Sequence, residues 1–508
     1  MGVLTKQVVP QAIVPEAERR AATVEFWSLV AAVSLAVFYL VTSIYIASHR
    51  FLWFDEILTV DIARLPNVAT MWQALAHGVD ATPPGYHILI RGVVKLFGSS
   101  DVAIRLPSTL AMVAGLLVTF DCARRLTDGL NALVALGVLT CSFLPYYGYE
   151  ARSYAIYFML ASVSYWLWTC TARDNKWSAI LFGAVIFLAV AVHYYAVLLP
   201  VPYGLWELYH WRPWQPLSFK LIAGFLGAIL PMLLLSRLMT SYSHQFSAQF
   251  WAAPSVWKLT ETFADFFPYG LFLLALVIIW IVVVVLTKRN RTGTVVQPMQ
   301  AGEAVGWLFL CIPLAGFVLA ELKTNALVSR YFIASLAGVA VATSCLSWRF
   351  CRSSYSIPVG IFLFLATWGG ATQVTTAMHL GLRDPRAHAI PILTKQYLRL
   401  EDPMRSDGKR FFALSRSHVY LEVQHYSKRR SEWVLLPISH PGITTDLNSV
   451  TWLGEYYPSQ FWDLSDLRKH ASEVALIDPE ADLLDRLRQA GFTLTIRLSQ
   501  PVEVVYVQ

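Results

Sequence analysis

Apolar runs long enough to cross a bilayer, about 20 residues each, recur along most of this chain and are separated by short polar stretches. They predict about eleven membrane-spanning helices, at 26–48, 105–123, 129–147, 151–171, 177–193, 195–210, 217–239, 267–287, 303–321, 330–348 and 354–377. The run 177–210 reads as two short helices meeting near His193-Tyr194-Tyr195. A single long one would carry Lys288 and Arg289 to the outer side and invert every later loop. With two, the short loops bearing Lys6, Arg19, Arg20, Arg124, Arg125, Arg173, Lys176, Arg212, Lys288, Arg289, Arg291, Arg349 and Arg352 all fall on one side. Basic residues gather on the cytoplasmic side of a membrane, so the N-terminus is expected in the cytoplasm.

Three polar regions then face outward: a long first loop, 49–104, a shorter one, 240–266, and a C-terminal segment, 380–508. In the last, Phe411–Leu414, Trp433–Leu436, Val474–Ile477, Phe492–Leu498 and Val502–Val507 have strand character. Asp482–Ala490 reads as a helix ended by Gly491. The expected organisation is a cytoplasmic N-terminus (1–25), a transmembrane module (26–379) and a small extracytoplasmic α/β domain (380–508). No internal repeat or inverted pair of halves is visible, although many transporters have one.

Composition agrees. Of 508 residues 56% are hydrophobic and 14% charged, against roughly 25% charged in soluble proteins. The net charge of +7 sits largely in the short loops and marks orientation, not nucleic-acid binding. The cysteines Cys122, Cys141, Cys170, Cys311, Cys345 and Cys351 lie in or beside apolar spans and show no disulfide or zinc spacing.

Chemistry-bearing residues collect in the outward regions. Asp55-Glu56 opens the first loop, ahead of Ile57, Leu58, Ile62 and Leu65, which fit an amphipathic helix lying along the interface. A carboxylate there could serve as a general base or help hold a divalent cation; capping that helix is the plainer alternative. Asp80-Ala81-Thr82-Pro83-Pro84-Gly85-Tyr86-His87 places a rigid turn before an amphipathic stretch that runs to Phe97. Glu150 and Arg152, flanked by tyrosines, could bind a polar head group or simply pair with each other. His193 and Tyr194 sit where the two short spans join. Lys323 and Arg330-Tyr331 are late outer residues; the planar fork of Arg330 suits phosphate, whereas Lys323 reads as an interfacial anchor. There is no P-loop, dinucleotide turn, His-Glu-x-x-His, Gly-x-Ser-x-Gly or Asp-x-Asp; Asp478-Pro479-Glu480 comes nearest to the last and reads as a solvated turn.

The order of Asp55-Glu56, Thr82-Pro83-Pro84-Gly85-Tyr86, Arg105-Leu106-Pro107-Ser108, Glu150-Ala151-Arg152-Ser153-Tyr154, His193-Tyr194-Tyr195 and Arg330-Tyr331 resembles the polytopic GT-C glycosyltransferases. The likeness is to their bacterial branch, related to protein O-mannosyltransferases and to the lipid A aminoarabinose transferase, and covers about residues 26–350. Where that family often carries His-Pro-Pro, a bulky residue and Tyr, this chain has Thr82-Pro83-Pro84-Gly85-Tyr86. The resemblance implies the GT-C fold in the inner membrane and a sugar donor on a polyprenyl phosphate, used on the outer face. The acceptor would be a glycan, lipid or protein. It further implies Asp55 as the base with Glu56 beside it, Arg330 near the donor phosphate, and Glu150 and Arg152 at the outer rim. A flippase or transporter for lipid-linked glycans is the competing reading; it would want ionisable residues deep in the spans, and the expected span interiors hold few. A scaffold or receptor acting through residues 380–508 would leave Asp55, Glu56 and Arg330 without a role.

Overall fold

The computed structural model describes residues 16–172, 175–212, 216–245, 252–267, 298–351, 355–378, 390–436, 444–457, 460–499 and 502–507. Described helices occupy ten of the eleven expected spans, and the eighth, 267–287, lies outside the described residues from 268 onward. Glu18–His49, Asp101–Leu126, Ala301–Thr324 and Ser356–Met378 are each long and apolar enough to cross a membrane. Helix α1 (Glu16–His49) leaves Phe26, Trp27, Val33, Val37, Val41 and Tyr45 exposed along its length. Such a face is costly in water and neutral against lipid tails.

Between α1 and the next span, three helices fold the first polar loop: α2 (Phe54–Arg64), α3 (Val68–Ala76) and α4 (Pro84–Phe97). The Asn67 side chain accepts the Thr70 N–H and so starts α3. Pro84 occupies the first turn of α4, where its missing N–H costs nothing. The amphipathic stretch to Phe97 is that helix, with Tyr86 and Ile90 buried and Ile88, Leu89, Leu96 and Phe97 exposed. Helix α2 departs from expectation. Ile57, Leu58, Val60, Ile62 and Ala63 are all buried, so it does not lie along the interface with one face in lipid. It is enclosed by α4 on one side and by C-terminal residues on the other.

The bundle continues with α5 (Asp101–Leu126), α6 (Gly129–Thr140), the single turn α7 (Leu144–Tyr147), α8 (Tyr154–Cys170) and α9 (Lys176–Val192). At His193 the chain becomes extended (φ −154°, ψ 117°) and ends α9. A 3-10 turn, Tyr194–Leu198, then leads into α10 (Pro200–His210), so 177–210 is split as its charge pattern required. Helix α11 (Phe219–Leu234) packs on α9 with Gly227 facing Gly183, where a Cβ would overlap the partner's backbone carbonyl. Small residues at such a crossing let two membrane helices approach backbone to backbone. Lys220, buried in α11, donates to the Leu167 and Thr171 carbonyls at 3.0 and 2.8 Å and closes the end of α8.

Toward the C-terminus, β1 (Phe411–Leu414), β2 (Trp433–Leu435), β3 (Val474–Ile477), β4 (Leu494–Leu498) and β5 (Val504–Val507) form one sheet in the order β2-β1-β3-β5-β4. Strands β2, β1 and β3 are parallel, while β5 runs antiparallel to β3 and to β4. Helix Ala481–Gln489 ends before Gly491, whose φ of 87° is the left-handed conformation a helix stop requires. Apolar side chains of the 417–426 helix and β1–β3 share one core with Leu52, Phe54, Ile57, Leu58 and Leu75 of the first outer loop.

Candidate active site

The acidic pair at the start of α2 is divided between two tasks. Trp53 caps the helix, which puts Asp55 and Glu56 in its first turn. The Glu56 carboxylate is fully buried and accepts from Nε and Nη2 of Arg105 at 2.7 and 2.6 Å, from the Ala151 N–H at 2.6 Å and from the Trp53 N–H at 3.2 Å. Arg105 also donates to the carbonyls of Ala47, Arg50 and Phe51, so α1, α2 and α5 are tied at one point. Burial alone would raise the Glu56 pKa; Arg105 overrides it, with Arg50 and the Ala151 N–H, and holds it below its ordinary value. Capping, the plainer reading for this acidic pair, therefore belongs to Glu56, whose carboxylate takes the Trp53 N–H.

Asp55 points elsewhere. Its side chain is 24% exposed and lies 3.6 Å from Arg152. Arg152 and Glu150 do not pair with each other. Arg152 donates to Asp80 at 2.9 Å, to the Asp55 carbonyl at 3.2 Å, to Thr59 at 3.3 Å and to Thr82 at 3.1 Å. Asp80 accepts the Thr82 N–H and hydroxyl at 3.1 and 3.0 Å, and His87 Nε2 stands 3.4 Å from it. Burial would raise the Asp80 pKa; Arg152 and then His87 override it and hold it well below the carboxylate range. Asp80 is thus a fixed anion that orients Arg152 toward Asp55.

Glu150 instead faces Arg50, at 3.9 Å. Arg50 donates to the Tyr146 hydroxyl at 3.1 Å and stacks over the Tyr146 and Tyr149 rings. Burial pushes Glu150 up to about 7, Arg50 only partly offsetting it, and one of its oxygens has no hydrogen-bond partner among the described residues.

A wall of aromatic rings completes the site. Arg330 donates Nε to the Tyr154 hydroxyl at 2.9 Å and lies over the Tyr154 and Tyr331 rings. Among the described residues no carboxylate comes within ion-pair distance of it, although Asp55 is near enough to act on its charge. The His193 ring stacks on Tyr157, with centroids 4.9 Å apart and planes 6° from parallel, and edges toward Tyr154 and Tyr331 at 5.5 Å. Tyr194 is half-buried and feels the Asp80 charge.

Two expected residues remain. Tyr86 is wholly buried, its hydroxyl near enough to Arg152, Glu56 and Glu150 to feel their charges. Lys323 is exposed on a π-turn, Ala320–Thr324, without an ion pair among the described residues. Asp478-Pro479-Glu480, expected as a solvated turn, folds onto Arg416 at 3.5 and 3.3 Å. Sequence reasoning missed Arg50, Thr59, Thr82, His87 and Tyr154 as members of the site. Thr82, His87 and Tyr154 lie inside motifs already noticed, while Arg50 carried no signal beyond its place just before Asp55.

The residues do not fit a cation. Among the described residues no three His, Cys, Asp or Glu side chains converge as ligands, and Glu56, the expected partner of Asp55, spends both oxygens on Arg105 and backbone N–H groups. The cluster has instead a cationic surplus. Arg50, Arg105, Arg152 and Arg330 face Asp55, Glu56 and Asp80, with Glu150 titrating near 7. Such an arrangement favours an anionic guest.

Comparison with known proteins agrees with this architecture. Residues 81–239, less than half of the chain, match the family described as dolichyl-phosphate-mannose-protein mannosyltransferase. No curated protein sequence matches. ArnT from Cupriavidus metallidurans bound to undecaprenyl phosphate aligns over 94% of this chain and 97% of its own, with a TM-score of 0.57 and 12% identity. Its apo state aligns over the same shares, with a TM-score of 0.59 and 12% identity. At that identity the likeness is one of fold. The resemblance thus holds for the fold, which is the GT-C fold of ArnT, and for the sequence over residues 81–239, which have the character of the protein mannosyltransferases.

Proposed function

We propose that this protein is a membrane glycosyltransferase that moves a sugar from a polyprenyl-phosphate donor to an acceptor hydroxyl or amine, with Asp55 as the base. The observation that carries the reading is the presence of Asp55 near Arg330, close enough to act on its charge but beyond ion-pair distance. One is a partly exposed carboxylate, held but not neutralised by Arg152; the other is an arginine without a carboxylate of its own among the described residues. The undecaprenyl phosphate bound in the ArnT structure supports the same donor class here.

Each group has a definable task. Asp55 takes the proton of the acceptor as its heteroatom attacks the anomeric carbon. The bond from that carbon to the phosphate oxygen breaks, and direct displacement inverts the carbon. The lipid phosphate leaves as an anion, which needs cationic stabilisation more than a general acid; Arg330 supplies it, with Arg152 behind. Glu56 and Asp80 do no chemistry in this scheme, since both are committed to arginines. Asp80 positions Arg152, and Glu56 fixes the first turn of α2. The rings of Tyr154, His193, Tyr194 and Tyr331 form the wall against which the sugar lies. The positive charge of the short loops supports a site on the outer face of the membrane, with residues 380–508 on the same side. A flippase gains no support from Lys220, a buried lysine in the first turn of α11, because it is consumed in closing α8.

The test is mass spectrometry of polyprenyl-phosphate sugars in cells carrying wild type or Asp55→Asn at equal protein level. One lipid-linked sugar is expected to build up in the variant, and its mass names the donor. Identical lipid profiles with unchanged glycans would refute the reading.

A further inference from the structure

The first turn of any helix leaves backbone N–H groups without helical partners. In α2 one of these orphans is filled from the far end of the chain. The Phe54 N–H donates to Glu422 Oε1 at 2.9 Å, across 368 residues. Four residues further along the same helix, Ser417–Tyr426, the Tyr426 hydroxyl accepts the Leu52 N–H at 2.6 Å and donates to Asp101 Oδ2 at 2.8 Å. The spacing puts Glu422 and Tyr426 on one helix face, and that face lies against the segment that leads into Asp55.

The contact is built, not incidental. Glu422 is fully buried, and its second oxygen accepts from the buried Thr394 hydroxyl at 2.9 Å. Phe51 stacks on Tyr426, with centroids 4.0 Å apart and planes 11° from parallel, and the Lys395 ammonium lies 4.7 Å from the Phe51 centroid. Two further contacts tie the C-terminal region to the same loop: Ser449 donates to the Val79 carbonyl at 2.9 Å, next to Asp80, and Tyr457 to the Asp61 carbonyl at 2.5 Å.

We propose that Glu422, supported by Tyr426, is a positioning residue for the transfer reaction: it completes the N-terminus of the Asp55 helix from the C-terminal domain. The inference rests on Asp55 being the base. Asp55 follows the capped residue directly, so the first turn of α2 sets where its carboxylate stands relative to Arg152 and Arg330. Burial pushes Glu422 up to about 8, so near neutral pH it serves the turn as a hydrogen-bond acceptor rather than as a charge. Displacing a reacting group by about 1 Å can cost 100-fold in rate, so fraying this turn would be felt in transfer without any loss of the bundle.

The experiment uses the full chain in lipid nanodiscs and hydrogen exchange read by mass spectrometry. Glu422→Ala is expected to speed exchange in peptides covering 51–59 by about ten-fold or more, with α5, α11 and the sheet unchanged. Glu422→Gln keeps an oxygen for the Phe54 N–H and is expected to restore protection. In cells at equal protein level, Glu422→Ala should accumulate the lipid-linked sugar that Asp55→Asn accumulates, and Glu422→Gln should not. Where Glu422→Ala fails to yield folded protein, Tyr426→Phe reports on the same turn by the same measurements. Unchanged exchange in 51–59, or a rise shared by every element, overturns the proposal. So does local exchange without sugar build-up while Asp55→Asn still builds it up. If Asp55→Asn itself builds up nothing, the assignment of the base falls, and the exchange data decide the clamp alone.

Discussion

Asp55 and Glu56 are adjacent and chemically alike, yet their replacement should fail in opposite ways. Glu56 is sealed from solvent and accepts four hydrogen bonds, two of them from Arg105. Glu56→Gln removes the charge that neutralises Arg105 and turns an amide group toward donors that have nowhere else to go. Breaking one side of a buried ion pair costs about 3–5 kcal/mol. Asp55 is partly solvated and 3.6 Å from Arg152, a class of contact worth about 0–1 kcal/mol. Thermal unfolding in one detergent should therefore leave Asp55→Asn near wild type and lower Glu56→Gln by several degrees. A double variant, Glu56→Met with Arg105→Met, should recover part of the loss, since no charge is then stranded. Acid should imitate the Glu56 variant. Its folded pKa lies below the ordinary 4.5, so its stabilisation is complete above that value and lost as pH falls through the lower one. Transfer should follow the reverse order: abolished in Asp55→Asn, lowered but not abolished per folded molecule in Glu56→Gln, which loosens the turn that carries Asp55. A Glu56→Gln protein that melts with the wild type, or an Asp55→Asn protein that melts with Glu56→Gln, would refute the division of labour.

Other consequences can be checked directly. Arg330→Met should cut transfer by roughly 100- to 1,000-fold, as removal of a charge-stabilising donor does, while melting stays at wild type; undiminished transfer would remove Arg330 from the reaction. Burial holds Glu150 at about 7 against an ordinary 4.5, so between those values the folded protein keeps a proton that the unfolded chain has released. Stability should fall as pH rises across that window by up to about 3 kcal/mol, and Glu150→Gln should flatten the fall in a melting series from pH 5 to 7.5. Gly227→Val should force α11 away from α9 and cost about 1–3 kcal/mol, seen as a lower melting point; an unchanged one would mean that the two helices yield freely.

The bundle was legible because the bilayer constrains it so tightly. Apolar length marked the spans, and the basic loops alone divided 177–210 at His193, where the backbone does break. The site was legible as a set of motifs but not as a set of partners. Glu150 and Arg152 are two apart, which suggests a pair, yet the tight turns before α8 send one toward Arg50 and the other toward Asp80. Periodicity gave α2 a single apolar face because Ile57, Leu58, Ile62 and Leu65 stand out from Thr59 and Asp61. Its burial on the remaining side depends on residues beyond 390, and no local pattern reports a surface that distant. Glu422 is the extreme case. An acid in the middle of a soluble helix reads as solvated, and only the fold shows that it faces Phe54.

The point where Arg105 meets Glu56, together with the cap from Glu422, sets a timetable for the newborn protein. Glu56 leaves the ribosome before its counter-charge at 105, before the Ala151 N–H, and long before residue 422 closes the turn beside it. At about 5–20 residues per second, the 368 residues between Phe54 and Glu422 take roughly 20 to 70 seconds to translate. During that interval the first turn of α2 is unfinished while the spans around it are already entering the bilayer. Synthesis halted before residue 422 would leave an anchored bundle with an unset Asp55. The membrane therefore receives a finished first turn of α2 only from messages that have been read past the codon for Glu422.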